Sequence, residues 1–173
     1  MPEQRPQPSE YAPHQEQYVS LVPAPVLDAL RAQEAQIRAL PSRIDAERAA
    51  FRYQPGKWTA REVVGHMADA ERVYQYRALA LARGDGGNLP KYDPDGYVEQ
   101  AGFESRTIAD IAGEMMAVRQ ATLSLFANLP AEAWSRAGTL NGKPLSVRAL
   151  AFIAAGHFAR HVNVLRERYG IAL

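Results

Sequence analysis

Three of the four histidines in the chain are placed so that they could act together on a metal ion. His157 and His161 are four residues apart in a stretch of helical periodicity, so they project from one face about one turn apart. His66 lies in the apolar stripe of an earlier helical segment, so two helices each bring imidazole to the interior. Imidazole suits Zn²⁺, Ni²⁺, Cu²⁺ or Fe²⁺, and three protein ligands leave a position for water or substrate. The pattern predicts an open, catalytic type of metal site.

The same histidines also fit a simpler interpretation. A histidine in a helix stripe is often a core or boundary residue that is hydrogen-bonded to a neighbour. Gly65 and Gly156 directly precede two of the histidines, and glycine inside a helix costs about 1 kcal/mol relative to alanine. Such a glycine makes room either for a metal or substrate, or for a closely packed helix. The sequence leaves both interpretations open.

Two carboxylates and one arginine are candidates to assist the site. Gln33 and Glu34 interrupt an apolar stripe, so this helix either faces a polar cavity there or has its exposed face shifted by one position. We predict Glu34 or Asp69 as a proton acceptor, or as the partner of a ligand histidine. Arg160 lies one turn from His157 and could contact an anionic substrate, although arginines on such a helix are mostly solvated.

Four long helices are predicted to position these residues. Apolar residues recur in them at alternating spacings of three and four, which is typical of helices with one buried face. The segments are 24–40, 59–83, 105–129 and 145–173. Residues 84–104 form a long connection, and no hairpin dipeptide lies between alternating apolar runs, so no strand is predicted. The pattern indicates an all-α four-helix bundle with a long crossover between helices two and three.

Composition narrows the classes of function. The chain has 20 Lys+Arg against 19 Asp+Glu, and a net charge of +1 argues against binding nucleic acid through its phosphates. The lack of cysteine excludes disulfides, iron–sulfur clusters and thiolate ligands. No apolar run reaches about 18 residues, and no signal-peptide core is visible, which predicts a cytoplasmic protein without a membrane partner. Residues 1–17 are rich in Pro, Gln and Glu and predict an irregular N-terminal arm before a single domain over 18–173.

The chain resembles the DinB-like (YfiT-like) superfamily of four-helix-bundle metalloproteins. The matching stretches are YVSLVPAPVLDAL, PGKWTAREVVGHMADAE, YDPDGYVEQAGF and HFARHVNVLRERYG. The most specific feature is W-T-x-x-E-x-x-x-H, which ends at His66, combined with H-x-x-x-H near the C-terminus. The resemblance covers nearly all of 18–170. It implies that His66, His157 and His161 bind one divalent metal, usually zinc or nickel, and that the protein forms a homodimer.

The resemblance also implies a class of activity. Characterised branches of the superfamily are transferases or isomerases that use low-molecular-weight thiols such as bacillithiol or mycothiol. The expected function is therefore a metal-dependent transferase or hydrolase for a small molecule, with such a thiol as a candidate cofactor. The alternative is a non-catalytic metal-binding or stress-related protein, whose site is structural or senses a ligand. Relatives often carry Glu directly after the first C-terminal histidine. Phe158 stands there in this chain, so that role is either empty here or filled by another group such as Asp69 or Glu34.

Overall fold

Seven α-helices lie in residues 4–173, the part of the chain that the computed structural model describes. They are α1 Glu16–Val19, α2 Val26–Arg43, α3 Ala46–Ala50, α4 Ala60–Ala82, α5 Pro94–Gln100, α6 Ile108–Ala127 and α7 Val147–Tyr169. The four long helices α2, α4, α6 and α7 form the bundle, and the predicted all-α fold is confirmed. The long crossover joins α4 to α6 and contains α5. Across residues 4–173, no helix has both the length and the apolar character needed to cross a membrane.

The two helices that carry the histidines begin at well-formed caps. Thr59 accepts from the amide of Glu62 at 3.1 Å, and the Glu62 carboxylate accepts from the amide of Thr59 at 2.6 Å. This reciprocal pair satisfies two amide groups that the first turn of α4 leaves without helical partners. Ser146 does the same for the amide of Ala149 at the start of α7, at 3.0 Å. The caps set where each helix begins and therefore which residues face the core.

A small sheet accompanies the helices, and the prediction of no strands was wrong. Its strands are β1 Asn88–Leu89, β2 Ala137–Leu140 and β3 Lys143–Ser146, with β1 parallel to β2 and β2 antiparallel to β3. Asn141 and Gly142 form the turn between β2 and β3, with φ of 54° and 71°. Asparagine followed by glycine suits two left-handed positions, so the local turn signal was present. The flanking strands lack the alternation of apolar residues that sequence patterns rely on.

The predicted N-terminal arm packs against the bundle over its described residues. It contains two short 3₁₀ helices, Pro8–Glu10 and Pro13–Gln15. The Arg5 guanidinium donates to the carbonyls of Val19 and Val22, each at 2.9 Å. Glu10 accepts from the hydroxyl of Ser146 at 2.7 Å and so joins the arm to the start of α7. Residues 1–3 of the predicted arm lie outside the described residues.

A buried ion pair joins the four long helices at one level. Arg119 of α6 donates to both carboxylate oxygens of Glu71 of α4, at 2.8 Å each, and its side chain is 0% exposed. Arg119 also donates at 2.7 Å to the amide oxygen of Gln33 in α2. The amide nitrogen of Gln33 donates at 2.8 Å to the carbonyl of Ala155 in α7. Thr122 donates to Glu71 at 2.7 Å, so the buried carboxylate is well satisfied.

This polar network lies between two apolar clusters in the bundle. Each of the four long helices contributes one large side chain or more to both clusters. One cluster includes Leu30 of α2, Leu81 of α4, Phe126 of α6 and Phe152 of α7. The other includes Ile37 of α2, Met67 of α4, Met115 of α6 and Phe158 of α7. Each large side chain buried in this way contributes about 1.5–3 kcal/mol to folding. The apolar clusters supply most of the stability. The network demands that all four helices keep the same register.

We expect Arg119→Met to lower the free energy of unfolding by about 3–5 kcal/mol, because the Glu71 carboxylate would stay buried without its cation. Urea denaturation at a fixed metal content measures this change. The matched control is Arg31→Met, since Arg31 of α2 pairs with Asp28 on the exposed surface. Surface pairs contribute little, so the control should change stability only slightly. Equal small effects for the two variants would contradict the role given to the network.

Candidate metal centre

Helices α4 and α7 bring three imidazole rings together inside the bundle. His66 lies in the second turn of α4, and His157 and His161 lie one turn apart in α7. The two helices pack directly against each other. Since all three histidines lie in the stripes that form this contact, His66 and His157 are only 4% and 5% exposed. His161 is partly exposed, on the outer side of the group.

The three rings converge closely enough to share one ligand. The Nε2 atoms of His66 and His157 are 3.1 Å apart. Ring centroids are separated by 4.9 Å for both pairs that include His66, and by 4.4 Å for His157 and His161. One ligand nitrogen from each ring lies within 4.8 Å of the others. In the described part of the chain, no carboxylate or fourth histidine joins this group.

The donor set and its protonation fit a divalent metal. Two imidazole nitrogens bound tetrahedrally to zinc at 2.0–2.1 Å would lie about 3.3–3.4 Å apart, close to the 3.1 Å seen here. Burial lowers the pKa of His66 to about 4 and that of His161 to about 3, and it also lowers the pKa of His157 well below the usual value for histidine. All three rings are therefore neutral near pH 7, as ligands must be. The Nδ1 atom of His161 is buried without a hydrogen-bond partner, which also suits a site built for a ligand.

Comparison with known proteins places this geometry in a family. The model of the DinB superfamily matches residues 29–165, which is more than half of the chain and includes all three histidines. The chain belongs to the DinB superfamily. A solved structure, YfiT from Bacillus subtilis, superposes with a TM-score of 0.75 at 15% identity, over 98% of this chain and 95% of that chain. YfiT is described as a probable metal-dependent hydrolase with an unusual four-helix bundle topology. No curated protein matches the chain.

Aromatic side chains enclose the histidines of this DinB domain. Trp58 packs on His66 with 4.7 Å between ring centroids. Tyr18 and Tyr74 flank His157, each at 5.5 Å. The Tyr169 hydroxyl donates at 2.6 Å to the carbonyl of Trp58 and fixes the turn that carries the indole. These rings exclude water from most sides of the triad and strengthen electrostatic interactions within it.

The two glycines that precede histidines make room for protein, not for a ligand. A Cβ atom on Gly156 would lie 2.1 Å from the carbonyl oxygen of Tyr18. A Cβ atom on Gly65 would lie 2.3 Å from the ring of Phe103. Of the two interpretations left open by the sequence, close packing is the one observed. Each contact holds a neighbouring segment against the helix that bears a histidine.

One side of the triad opens to solvent at His161. This histidine lines a cleft of about 520 Å³. Its walls also include Tyr53, Trp58 and Tyr169, and its polar residues include Lys57 and Asp95. Both charged residues are exposed at the cleft. A small molecule can therefore approach the outermost imidazole while the two inner ones stay covered.

The predicted assisting residues lie in three different surroundings. Glu34 pairs with Arg38 at 2.8 Å on the surface of α2, and no hydrogen bond joins it to a histidine within residues 4–173. Asp69 lies one turn after His66 and lines a separate cleft of about 660 Å³. Burial lowers the pKa of His161 most, followed by the effect of His66. The charge of the exposed Arg160 makes a smaller contribution in the same direction. Glu34 is thus paired within its own helix, Asp69 lines a different cleft from His161, and Arg160 influences His161 through its charge.

Position 158, where the resemblance led us to expect Glu, is part of the core in this chain. Phe158 is 1% exposed. Its ring centroid lies 4.9 Å from the guanidinium carbon of Arg119, within the range of a cation–π interaction. The residue therefore contributes to the buried network and offers no proton acceptor to the triad.

Two polar side chains at the site were missed by sequence reasoning. The Tyr92 hydroxyl lies 3.2 Å from Nδ1 of His66. Asp95 lines the same cleft as His161. Both belong to the long connection between α4 and α6, in the stretch YDPDGYVEQAGF that carries part of the DinB resemblance. That resemblance was the available signal, because Tyr92 lies outside regular structure and Asp95 lies in the short helix α5, which the sequence analysis did not predict.

The metal-free protein should lose stability as the pH falls. An unfolded histidine binds a proton below about pH 6.5, whereas burial keeps His66 neutral down to about pH 4. Between these pH values the unfolded state binds more protons than the folded state. The contribution of His66 to the free energy of unfolding is therefore complete above about pH 6.5 and is lost as the pH falls towards the folded pKa. We expect His66 alone to account for about 2 kcal/mol between about pH 7.5 and pH 5.

Urea denaturation of chelator-treated protein at the two pH values tests this expectation. His66→Gln should reduce the dependence on pH, because glutamine does not titrate. His14→Gln is the matched control, since His14 is exposed and far from the triad in sequence. The same pH dependence in wild type and His66→Gln would show that His66 is not held neutral by burial.

Proposed function

We propose that this DinB-superfamily chain is a metal-dependent enzyme, a hydrolase or a transferase that uses a low-molecular-weight thiol. His66, His157 and His161 would hold one divalent metal, with zinc or nickel as the expected ion. The observation that carries the proposal is the asymmetry of the site. Three neutral imidazoles converge in a buried position with no fourth protein ligand in the described residues, and one of them borders an open cleft.

The residues of the chain prepare this site in two ways. Burial keeps all three rings unprotonated, so their nitrogen lone pairs are available near neutral pH. The aromatic side chains of Trp58, Tyr18 and Tyr74 leave the cleft at His161 as the route of access. When bound there, a divalent metal supplies Lewis-acid chemistry, which activates water or a thiol as a nucleophile.

Charged residues around the cleft suit a small polar substrate. Lys57 is an exposed cation that lines this cleft, and the exposed Arg160 directly precedes His161 in α7, so both can bind an anionic group. Asp95 lies in the same cleft and is better placed than Glu34 to accept a proton from a nucleophile. Such a proton acceptor contributes when it is within hydrogen-bond reach of the reacting group. We assign substrate contact to Lys57 and Arg160 and proton acceptance to Asp95.

The nature of the nucleophile separates the two reaction types. Water would make the protein a hydrolase, and YfiT, which shares this fold, is described as a probable metal-dependent hydrolase. A thiol would make it a transferase, as the family resemblance suggests. Because the chain has no cysteine, the thiol would have to be a separate molecule. A non-catalytic metal protein is less well supported, since a structural site usually completes its coordination with protein ligands.

We expect wild-type protein to bind one equivalent of zinc or nickel and His161→Ala to lose most of it. His14→Ala is the control and should keep a full equivalent, because His14 is exposed outside the triad. Elemental analysis after removal of loosely bound ions measures the content. A full equivalent in His161→Ala, or none in wild type, would contradict the assignment of the ligands.

The metal-loaded protein should also be tested for turnover. One panel would contain ester, amide and phosphoester substrates with water as nucleophile, and the other would pair electrophiles with several low-molecular-weight thiols. Turnover in either panel that disappears in His161→Ala supports the enzyme and identifies the nucleophile. Turnover in neither panel, with the metal fully bound, would favour the non-catalytic alternative.

A further inference from the structure

The two nitrogens of His66 face different partners. Its Nε2 atom lies 3.1 Å from Nε2 of His157, at the centre of the triad. Its Nδ1 atom lies 3.2 Å from the hydroxyl of Tyr92. The rings of His66 and Tyr92 are nearly parallel, with an angle of 3° between their planes. One nitrogen is thus available to a ligand, while the other is in hydrogen-bond contact with the crossover.

Tyr92 is held firmly in this position by its neighbours. The guanidinium of Arg77 donates at 2.9 Å to the carbonyl of Pro90, two residues before the tyrosine. On the other side, the ring of Tyr97 packs edge-on against the ring of Tyr92, with 4.7 Å between centroids. The backbone next to Tyr92 and the ring of Tyr92 are both restrained, so the position of its hydroxyl is fixed before any ligand binds.

The direction of the hydrogen bond decides what Tyr92 can do. A tyrosine hydroxyl either donates to Nδ1 or accepts from it. A histidine that binds metal through Nε2 carries its proton on Nδ1, and that proton needs an acceptor. Tyr92 accepts it only if its own hydroxyl proton points elsewhere. A nearby negative charge on the far side of the hydroxyl would favour that orientation.

Asp69 supplies a negative charge beside Tyr92. It lies three residues after His66 in α4 and therefore on nearly the same face of the helix. Burial raises the pKa of the Tyr92 phenol, and the charge of Asp69 raises it further. The charges that face Tyr92 are those of Asp69, Asp93 and Arg77. Asp69 also lines one cleft together with Asp93 and Tyr97, which are neighbours of Tyr92 in the crossover, so its carboxylate lies on the side of α4 that faces this part of the chain.

We propose that Asp69 and Tyr92 are positioning residues for His66. The Asp69 carboxylate turns the hydroxyl proton of Tyr92 towards itself, and the Tyr92 oxygen then accepts from Nδ1 of His66. The Nε2 lone pair is thereby left free and aimed at the centre of the triad. This inference rests on the proposed function, in which that lone pair binds a metal. It also gives the predicted residue Asp69 a role that acts through Tyr92 and not directly on a substrate.

The test is a zinc-binding measurement by competition with a chromophoric chelator. We expect Tyr92→Phe to weaken zinc binding about 10–100-fold, because loss of a partner to a ligand histidine typically has an effect of this size. Tyr97→Phe is the matched control, since it removes a hydroxyl from the same crossover and should leave the affinity within about twofold of wild type. Thermal melts of the metal-free variants establish that both are folded.

A double-mutant cycle tests the relay, that is, whether Asp69 acts on His66 through the hydroxyl of Tyr92. Asp69→Asn should weaken zinc binding in the wild-type background and have no further effect in the Tyr92→Phe background, because its influence passes through the hydroxyl. Independent, additive effects of the two substitutions would overturn the relay. So would a Tyr92→Phe affinity equal to that of wild type.

A measurement on unmodified protein avoids dependence on folded variants. Long-range ¹H–¹⁵N NMR of the metal-free wild type should show His66 protonated on Nδ1 and not on Nε2. Protonation on Nε2 would overturn the positioning role. The two proposals fail differently. Wild type that binds no zinc contradicts the metal site, whereas zinc binding that is insensitive to Tyr92→Phe contradicts only the relay.

Discussion

The buried ion pair between Arg119 and Glu71 is the constraint on which the rest of the bundle depends. Two charges removed from water are tolerated only with good geometry and further hydrogen bonds, and here Gln33 and Thr122 supply them. A shift of α4 or α6 by one residue would separate the two charges, and a shift of α2 or α7 would break the hydrogen bonds of Gln33. The network therefore selects one register for four helices, which apolar packing alone would specify less strictly.

The metal centre depends on that register. Glu71 lies in the same helix as His66, five residues further on, and the carbonyl that receives Gln33 belongs to Ala155, two residues before His157. The network thus fixes α4 and α7 next to the histidines that each helix carries. Phe158 connects the two features, since it packs on Arg119 and directly follows His157. Rigid support of this kind is what a site needs if its ligands are to be held in place before the metal binds.

The sequence predicts the parts that repeat with helical periodicity. The apolar stripes predict the four long helices. They also predict that His66, His157 and His161 converge, because a stripe indicates which side of a helix is buried. The β2–β3 hairpin was missed although Asn141-Gly142 marks its turn, since its strands lack apolar alternation. Arg119 was missed because an arginine in a helix usually indicates a solvated face, and only the opposing Glu71 makes it a core residue. Tyr92 lies in an irregular crossover, where contact with His66 depends on tertiary packing.

The central claim is that three histidines bind one metal and leave a coordination position open at the cleft. X-ray absorption spectroscopy of the metal-loaded protein tests it most directly, because the spectrum reports the number and type of atoms around the ion. We predict three imidazole nitrogens and at least one additional ligand that exchanges when small anions or thiols are added. Four protein ligands with no exchangeable one, or fewer than three imidazoles, would contradict it.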